Sequence, residues 1–179
     1  MEEIGKIHYF TPSPNDNDLG SDYNYYMSLL PNDNDWACFT DRDALFIQNN
    51  YITKIEKAVK DNSDAGLITC ITNRVGERKQ CYKERIDDNP NILAHYAIGK
   101  KLENIYTYTE IPHEISGFCM MVKKSVWQNV KFPAGLLGVD NEYSRMIIDA
   151  GYRIIRMDGL YMFHYYRLKQ GRNNKEHLK

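Results

Sequence analysis

Two carboxylates, Asp41 and Asp43, directly follow the apolar run Trp36-Ala37-Cys38-Phe39-Thr40. A chain leaving a strand here can turn both acids to one side of a sheet edge. Mg²⁺ and Mn²⁺ prefer oxygen ligands and commonly take one or two carboxylates together with substrate phosphates, so the pair suits a metal–diphosphate site. The same residues also fit a polar turn in which one acid caps the next segment. A second acidic group opens a late helix, in Gly138-Val139-Asp140-Asn141-Glu142. Asp140 fits an N-cap, and Glu142 lies in the first turn, where the helix dipole favours negative charge. Asp140 fits equally a general base on a rigid helix end, taking a proton from an acceptor hydroxyl. His164 ends the run Leu160-Tyr161-Met162-Phe163. It reads either as a hydrogen-bonded structural residue or, beside Asp43, as a third metal ligand. Beyond it, Arg167, Lys169, Arg172 and Lys175 could cover a pyrophosphate or simply stay solvated.

Other chemistries lack their signatures. The chain has no G-x-x-x-x-G-K-[ST] loop, no G-x-G-x-x-G fingerprint and no G-x-S-x-G elbow. His8, His95, His113 and His177 show no zinc spacing. Cys38, Cys70, Cys81 and Cys119 are scattered without a C-x-x-C pair and read as small buried hydrophobes rather than a metal or disulfide framework. Tyr23, Tyr25 and Tyr26 fit stacking on a base or sugar, or core and rim packing. A net charge of -1 supplies no field for polyanions, which argues against a nucleic-acid partner. No cationic segment followed by an apolar core opens the chain, and no apolar stretch approaches the roughly 20 residues that cross a bilayer. The expectation is a cytoplasmic protein that meets any membrane substrate at the surface. Oligomeric state stays open.

The elements that must position these residues follow from period and punctuation. With 179 residues, the chain fits one domain, spanning 1–179, with a core over 6–167 and a basic tail over 168–179. Strands are expected at 6–11, 36–40, 66–72, 105–109, 117–122, 153–157 and 160–165. Helices are expected at 22–30, at 51–60 with Ile52, Ile55, Ala58 and Val59 inward, and at 140–150. That last helix carries Tyr143, Met146, Ile147 and Ala150 on one stripe and stops at Gly151. Asn89-Pro90 reads as an N-cap and first helical position, with Leu93, Tyr96 and Ala97 turned inward. Strands alternate with helices first and crowd together later. This predicts an α/β domain whose mixed, mostly parallel sheet is flanked by helices and binds ligands beyond its strand ends.

In order and spacing, these pieces resemble the family 2 glycosyltransferases of the GT-A fold. The resemblance rests on 19–24 followed by 36–43, on Ser116-Gly117-Phe118-Cys119-Met120-Met121-Val122, on 132–145, on 151–154, and on the strand ending in His164. It implies that Asp43 holds a divalent metal, Mn²⁺ or Mg²⁺, and that Asp41 shares it or contacts the ribose. It implies that His164 completes the metal shell and that Asp140 is the base of an inverting transfer, with Glu142 the second choice. Ser116 and Gly117 would line the floor between donor and acceptor, and Thr11 and Pro12 would lie beside the nucleobase. Asn24 and Arg167 would contact the donor, a nucleoside-diphosphate sugar expected to be a UDP-sugar. The acceptor would be a glycan, a lipid-linked sugar or a protein. The chain departs from the family between its first strand and Asp41, where it is too short for the further βα unit that members usually carry. Two alternatives follow: a non-catalytic nucleotide-sugar or glycan-binding module, and a nucleotidyltransferase. Against the latter, 15–18 is acidic where a glycine-rich basic loop belongs.

Overall fold

Most of the strands form where apolar runs lie between polar turns. In the computed structural model, which describes residues 5–13 and 17–165, seven strands join one sheet. In chain order they are β1 (Ile7–Phe10), β2 (Trp36–Thr40), β3 (Ala44–Phe46), β4 (Leu67–Thr72), β5 (Tyr108–Glu110), β6 (Cys119–Lys123) and β7 (Ile154–His164). The helices are α1 (Leu19–Ser28), α2 (Tyr51–Asp61), α3 (Ile92–Leu102), α4 (Lys124–Asn129) and α5 (Val139–Asp149). The spatial order is β1-β2-β6-β4-β7-β3, with β5 also on β7. Strands β1, β2, β4 and β7 run the same way. Between β2 and β4, β6 runs against them, and β3 and β5 pair antiparallel with β7. The architecture is therefore α/β with a mixed, open sheet, as the element pattern predicts. Among the described residues no helix is long and apolar enough to cross a membrane.

Both sheet faces are covered, so the strands carry apolar residues on each. Along β2, Ala37 and Phe39 join the cluster under α1 and α5, while Trp36 and Cys38 join the one under α2. On β6, Met120 and Val122 take the first side, Cys119 and Met121 the second. This two-residue period is the pleat itself. All four cysteines are free and buried, as their apolar surroundings predict.

Several local expectations are corrected by tertiary packing. Helix α1 begins three residues before 22, because the Asp18 carboxylate caps it by accepting from Ser21 N at 3.0 Å. The cap of α3 is Asn91, which accepts from Leu93 N at 3.0 Å. Leu93, Tyr96 and Ala97 are exposed, and His95, Gly99 and Leu102 face inward. His95 can be buried because its ring bonds the Tyr161 hydroxyl and the Asn89 carbonyl, each at 2.7 Å. On α2, Ile52 is exposed and Lys54 is buried, with its ammonium donating to the Leu102 and Ile105 carbonyls. On α5, Val139 and Ser144 are buried with Tyr143 and Ile147, whereas Ala150 is exposed. The runs 153–157 and 160–165 form one strand, β7, whose register against β4 jumps from Cys70↔Met157 to Ile71↔Tyr161.

Candidate metal centre

Three strand ends build the centre. As β2 finishes, Asp41 N donates to the Phe118 carbonyl at 3.0 Å, carrying the β2–β6 ladder one residue further. Ala44 N returns to the Asp41 carbonyl at 3.2 Å, so 41–44 makes a tight turn into β3. Strand β3 lies antiparallel on the end of β7, with Ala44 opposite His164, and Tyr165 N donates to the Asp43 carbonyl at 2.9 Å. The turn is thereby stitched to β6 on one side and β7 on the other. Asp41, Asp43 and His164 each offer one ligand atom within 4.8 Å of the others.

His164 is positioned from several directions. Its ring stacks on Phe118, with centroids 5.5 Å apart. Its backbone N–H donates to Asn73 Oδ1 at 2.7 Å, and its carbonyl accepts from Asn73 Nδ2 at 3.1 Å. Nδ1 donates to the Arg74 carbonyl at 2.9 Å, which turns Nε2 towards Asp43 Oδ1 at 3.2 Å and Asp41 Oδ2 at 3.5 Å. A carbonyl that takes the Nδ1 proton in this way fixes the tautomer and the aim of an imidazole that can ligate a metal through Nε2. Burial opposes a charge on His164, but the two carboxylates prevail and raise its pKa from 6.5 to about 9. The Asp41 and Asp43 side chains remain 42% and 49% exposed, so the centre opens to solvent. Two hard carboxylates and one oriented imidazole fit a divalent cation that completes its shell with water or phosphate oxygens.

Asp140 stands on the other side of the same strip. The N-cap expectation is corrected: Gly138, at φ 75°, occupies the cap, and Asp140 is the second residue of α5. Its carboxylate accepts from Gly117 N at 2.6 Å. A Cβ on residue 117 would lie 2.8 Å from that of Asp140, so this approach requires glycine. Burial raises the Asp140 pKa above the ordinary carboxylate value; N–H groups of Gly117 and Asn141 oppose this, and the Asp41 charge reinforces it. Residues 117 and 118 thus touch both halves: Gly117 holds Asp140, and Phe118 holds the Asp41 backbone and the His164 ring. Glu142 is exposed one position beyond Asn141.

The remaining expected residues fall into four groups. Thr11 Oγ1 lies 3.2 Å from Thr40 Oγ1, beside Asp41, and half-buried Pro12 follows it. Ser116 is gripped by Gln80, which accepts from its N at 2.7 Å and donates to its carbonyl at 3.0 Å. The Asn24 amide is taken up otherwise: Nδ2 donates to the Phe132 carbonyl, and Oδ1 accepts from Trp127 Nε1 and Phe132 N. Those bonds tie α1 to the 127–132 segment and leave the amide little capacity for a ligand. Arg167, Lys169, Arg172 and Lys175 lie outside the described residues. Asn73 and Gln80 have no signature in the sequence, where an amide in a polar stretch carries no distinguishing signal.

The chain matches no protein-family model and no curated protein. Fold and centre together define a class: an α/β protein with a mixed sheet and a carboxylate–imidazole cluster at its strand ends.

Proposed function

We propose that this chain is a divalent-metal-dependent glycosyltransferase that moves a sugar from a nucleoside-diphosphate sugar, expected to be a UDP-sugar, to an acceptor hydroxyl. One observation carries the reading: Asp41, Asp43 and His164 converge within 4.8 Å, joined through 117–118 to a half-buried acid, Asp140. Mn²⁺ or Mg²⁺ held by the three residues would offset negative charge gathering on a departing diphosphate. The chain does the rest. Asp140 takes the proton of the acceptor hydroxyl as that oxygen bonds to the anomeric carbon. The bond from this carbon to the diphosphate oxygen breaks, its electron pair leaves with the diphosphate, and the centre inverts. The raised pKa makes ionised Asp140 a better base, and the Gly117 N–H keeps it aimed. Thr11 and Pro12 border the donor's base, while Ser116 and Gly117 form the floor. The setting is the cytoplasm, and the acceptor is a glycan, lipid-linked or protein hydroxyl. A second reading, a non-catalytic module binding a nucleotide sugar or glycan, draws on the short β1–β2 connection, which carries one helix among the described residues.

A thermal-shift screen of nucleotide sugars with and without Mn²⁺ tests the proposal. A true donor at a hundredfold excess over its dissociation constant stabilises by about 2.7 kcal/mol. The shift should need Mn²⁺ and vanish in Asp43→Asn. A metal-independent shift, unchanged in that variant, would remove the basis for the centre. Turnover separates the two readings, since a binding module releases no nucleoside diphosphate.

A further inference from the structure

A cleft of about 630 Å³ opens between the 76–77 turn, the 112–116 loop and the first turns of α5. Its volume falls in the range of about 300–1,000 Å³ typical of small-molecule sites. Two of its lining residues, Ser116 and Asn141, are the chain neighbours of Gly117 and Asp140, so the cleft adjoins the contact that holds the candidate base.

The lining is polar and mixed in sign. Arg145 donates to Glu114 at 3.1 Å, and His113 Nε2 lies 3.5 Å from Glu77. All four side chains are partly exposed, so each pair keeps further donors or acceptors turned to water. Asn141 Nδ2 is bonded to the Ile115 carbonyl, which leaves Oδ1 as an acceptor. Ser116 Oγ accepts from Glu77 N and retains its own proton to donate. Pro112 and Ile148 supply the apolar surface, and no aromatic ring other than the His113 imidazole lines the cleft among the described residues.

This chemistry selects against several ligands. An acyl chain would desolvate the acids, the guanidinium and the amide without replacing their hydrogen bonds. A polyanion would face two carboxylates. A neutral polyol, whose hydroxyls each donate and accept, can satisfy every group named. We infer that this cleft binds a neutral, hydrophilic saccharide. The inference rests on the proposed function only for what becomes of the bound sugar; binding itself requires neither metal nor donor.

The test is amide NMR of the full chain titrated with lactose, maltose and cellobiose, without metal or nucleotide. The expected result is a saturable shift for at least one sugar, confined to 76–77, 113–116 and 141–148. Arg145→Ala and Glu77→Gln, both at partly exposed positions, should each weaken binding about tenfold, the loss of one hydrogen bond to a charged group. Shifts with none of the three sugars, shifts elsewhere, or unchanged affinity in both variants would overturn the inference. So would a response of these amides to phosphocholine micelles alone, which would point to a lipid. Saccharide binding here without turnover of any donor would sink the transferase proposal and leave this inference standing. Turnover without saccharide binding here would do the reverse.

Discussion

Because Nδ1 of His164 bonds the Arg74 carbonyl, Nε2 is left to Asp41 and Asp43, and without a cation that nitrogen carries a proton. The folded pKa of about 9 exceeds the ordinary 6.5, so protonation stabilises the fold. That stabilisation is complete below about pH 6.5 and is lost as pH rises through about 9. The melting temperature of metal-free protein should fall across this interval, and His164→Gln should flatten the profile. Mn²⁺ competes with the same proton, so its affinity should climb with pH over that window, as read by melting curves at fixed Mn²⁺. Asp140 has the same sign of pH dependence, at lower pH, although here it is the charged form that the fold disfavours. Its pKa is raised by burial, so ionisation above the ordinary carboxylate range costs the fold stability. Asp140→Asn should melt no lower than the parent at neutral pH while donor turnover falls about 10²–10⁴-fold. A variant that melted much lower with turnover intact would make Asp140 a structural residue.

Two short segments hold the centre, and each has a sensitive position. A Cβ at 117 would press on Asp140 at 2.8 Å, so Gly117→Ala should cost about 1–3 kcal/mol by overpacking and displace the acid. Urea unfolding gives the cost, and lost turnover the displacement. Asn73 brackets His164 with two buried hydrogen bonds, so Asn73→Ala should cost about 1–3 kcal/mol and weaken Mn²⁺ binding. Metal binding unaltered by that loss would mean the strand end holds His164 unaided. Helix α3 shows why burial was harder to foresee than helicity. Apolar periodicity points Leu93 and Tyr96 inward, yet the buried face carries a histidine whose partners, Asn89 and Tyr161, come from before the helix and from a distant strand.

Across the molecule, the core under α1 and α5 is an aromatic column in which Phe132 and Tyr143 stack at 3.7 Å beside Tyr23 and Phe39. The Tyr143 hydroxyl is buried with no partner among the described residues. Tyr143→Phe should therefore stabilise the protein, by about 1 kcal/mol in chemical denaturation, because a desolvated hydroxyl is removed. Most strand positions, the α/β class and each separate acid were legible in the residues, since period, caps and strand-to-turn transitions are short-range signals; the strand expected at 105–109 forms only at 108–110. Even the two-faced burial of β2 and β6 can be read from runs such as Trp36–Thr40, where both alternating sets are apolar. Which groups meet is another matter. Asp43 and His164 are 121 residues apart and touch because three-residue β3, too short to announce itself, folds back on the end of β7. Asp140 reaches their neighbourhood because β6 enters between β2 and β4 and brings Gly117 to the helix. Strand order depends on how whole faces bury against one another, and no local stretch of chain carries that information.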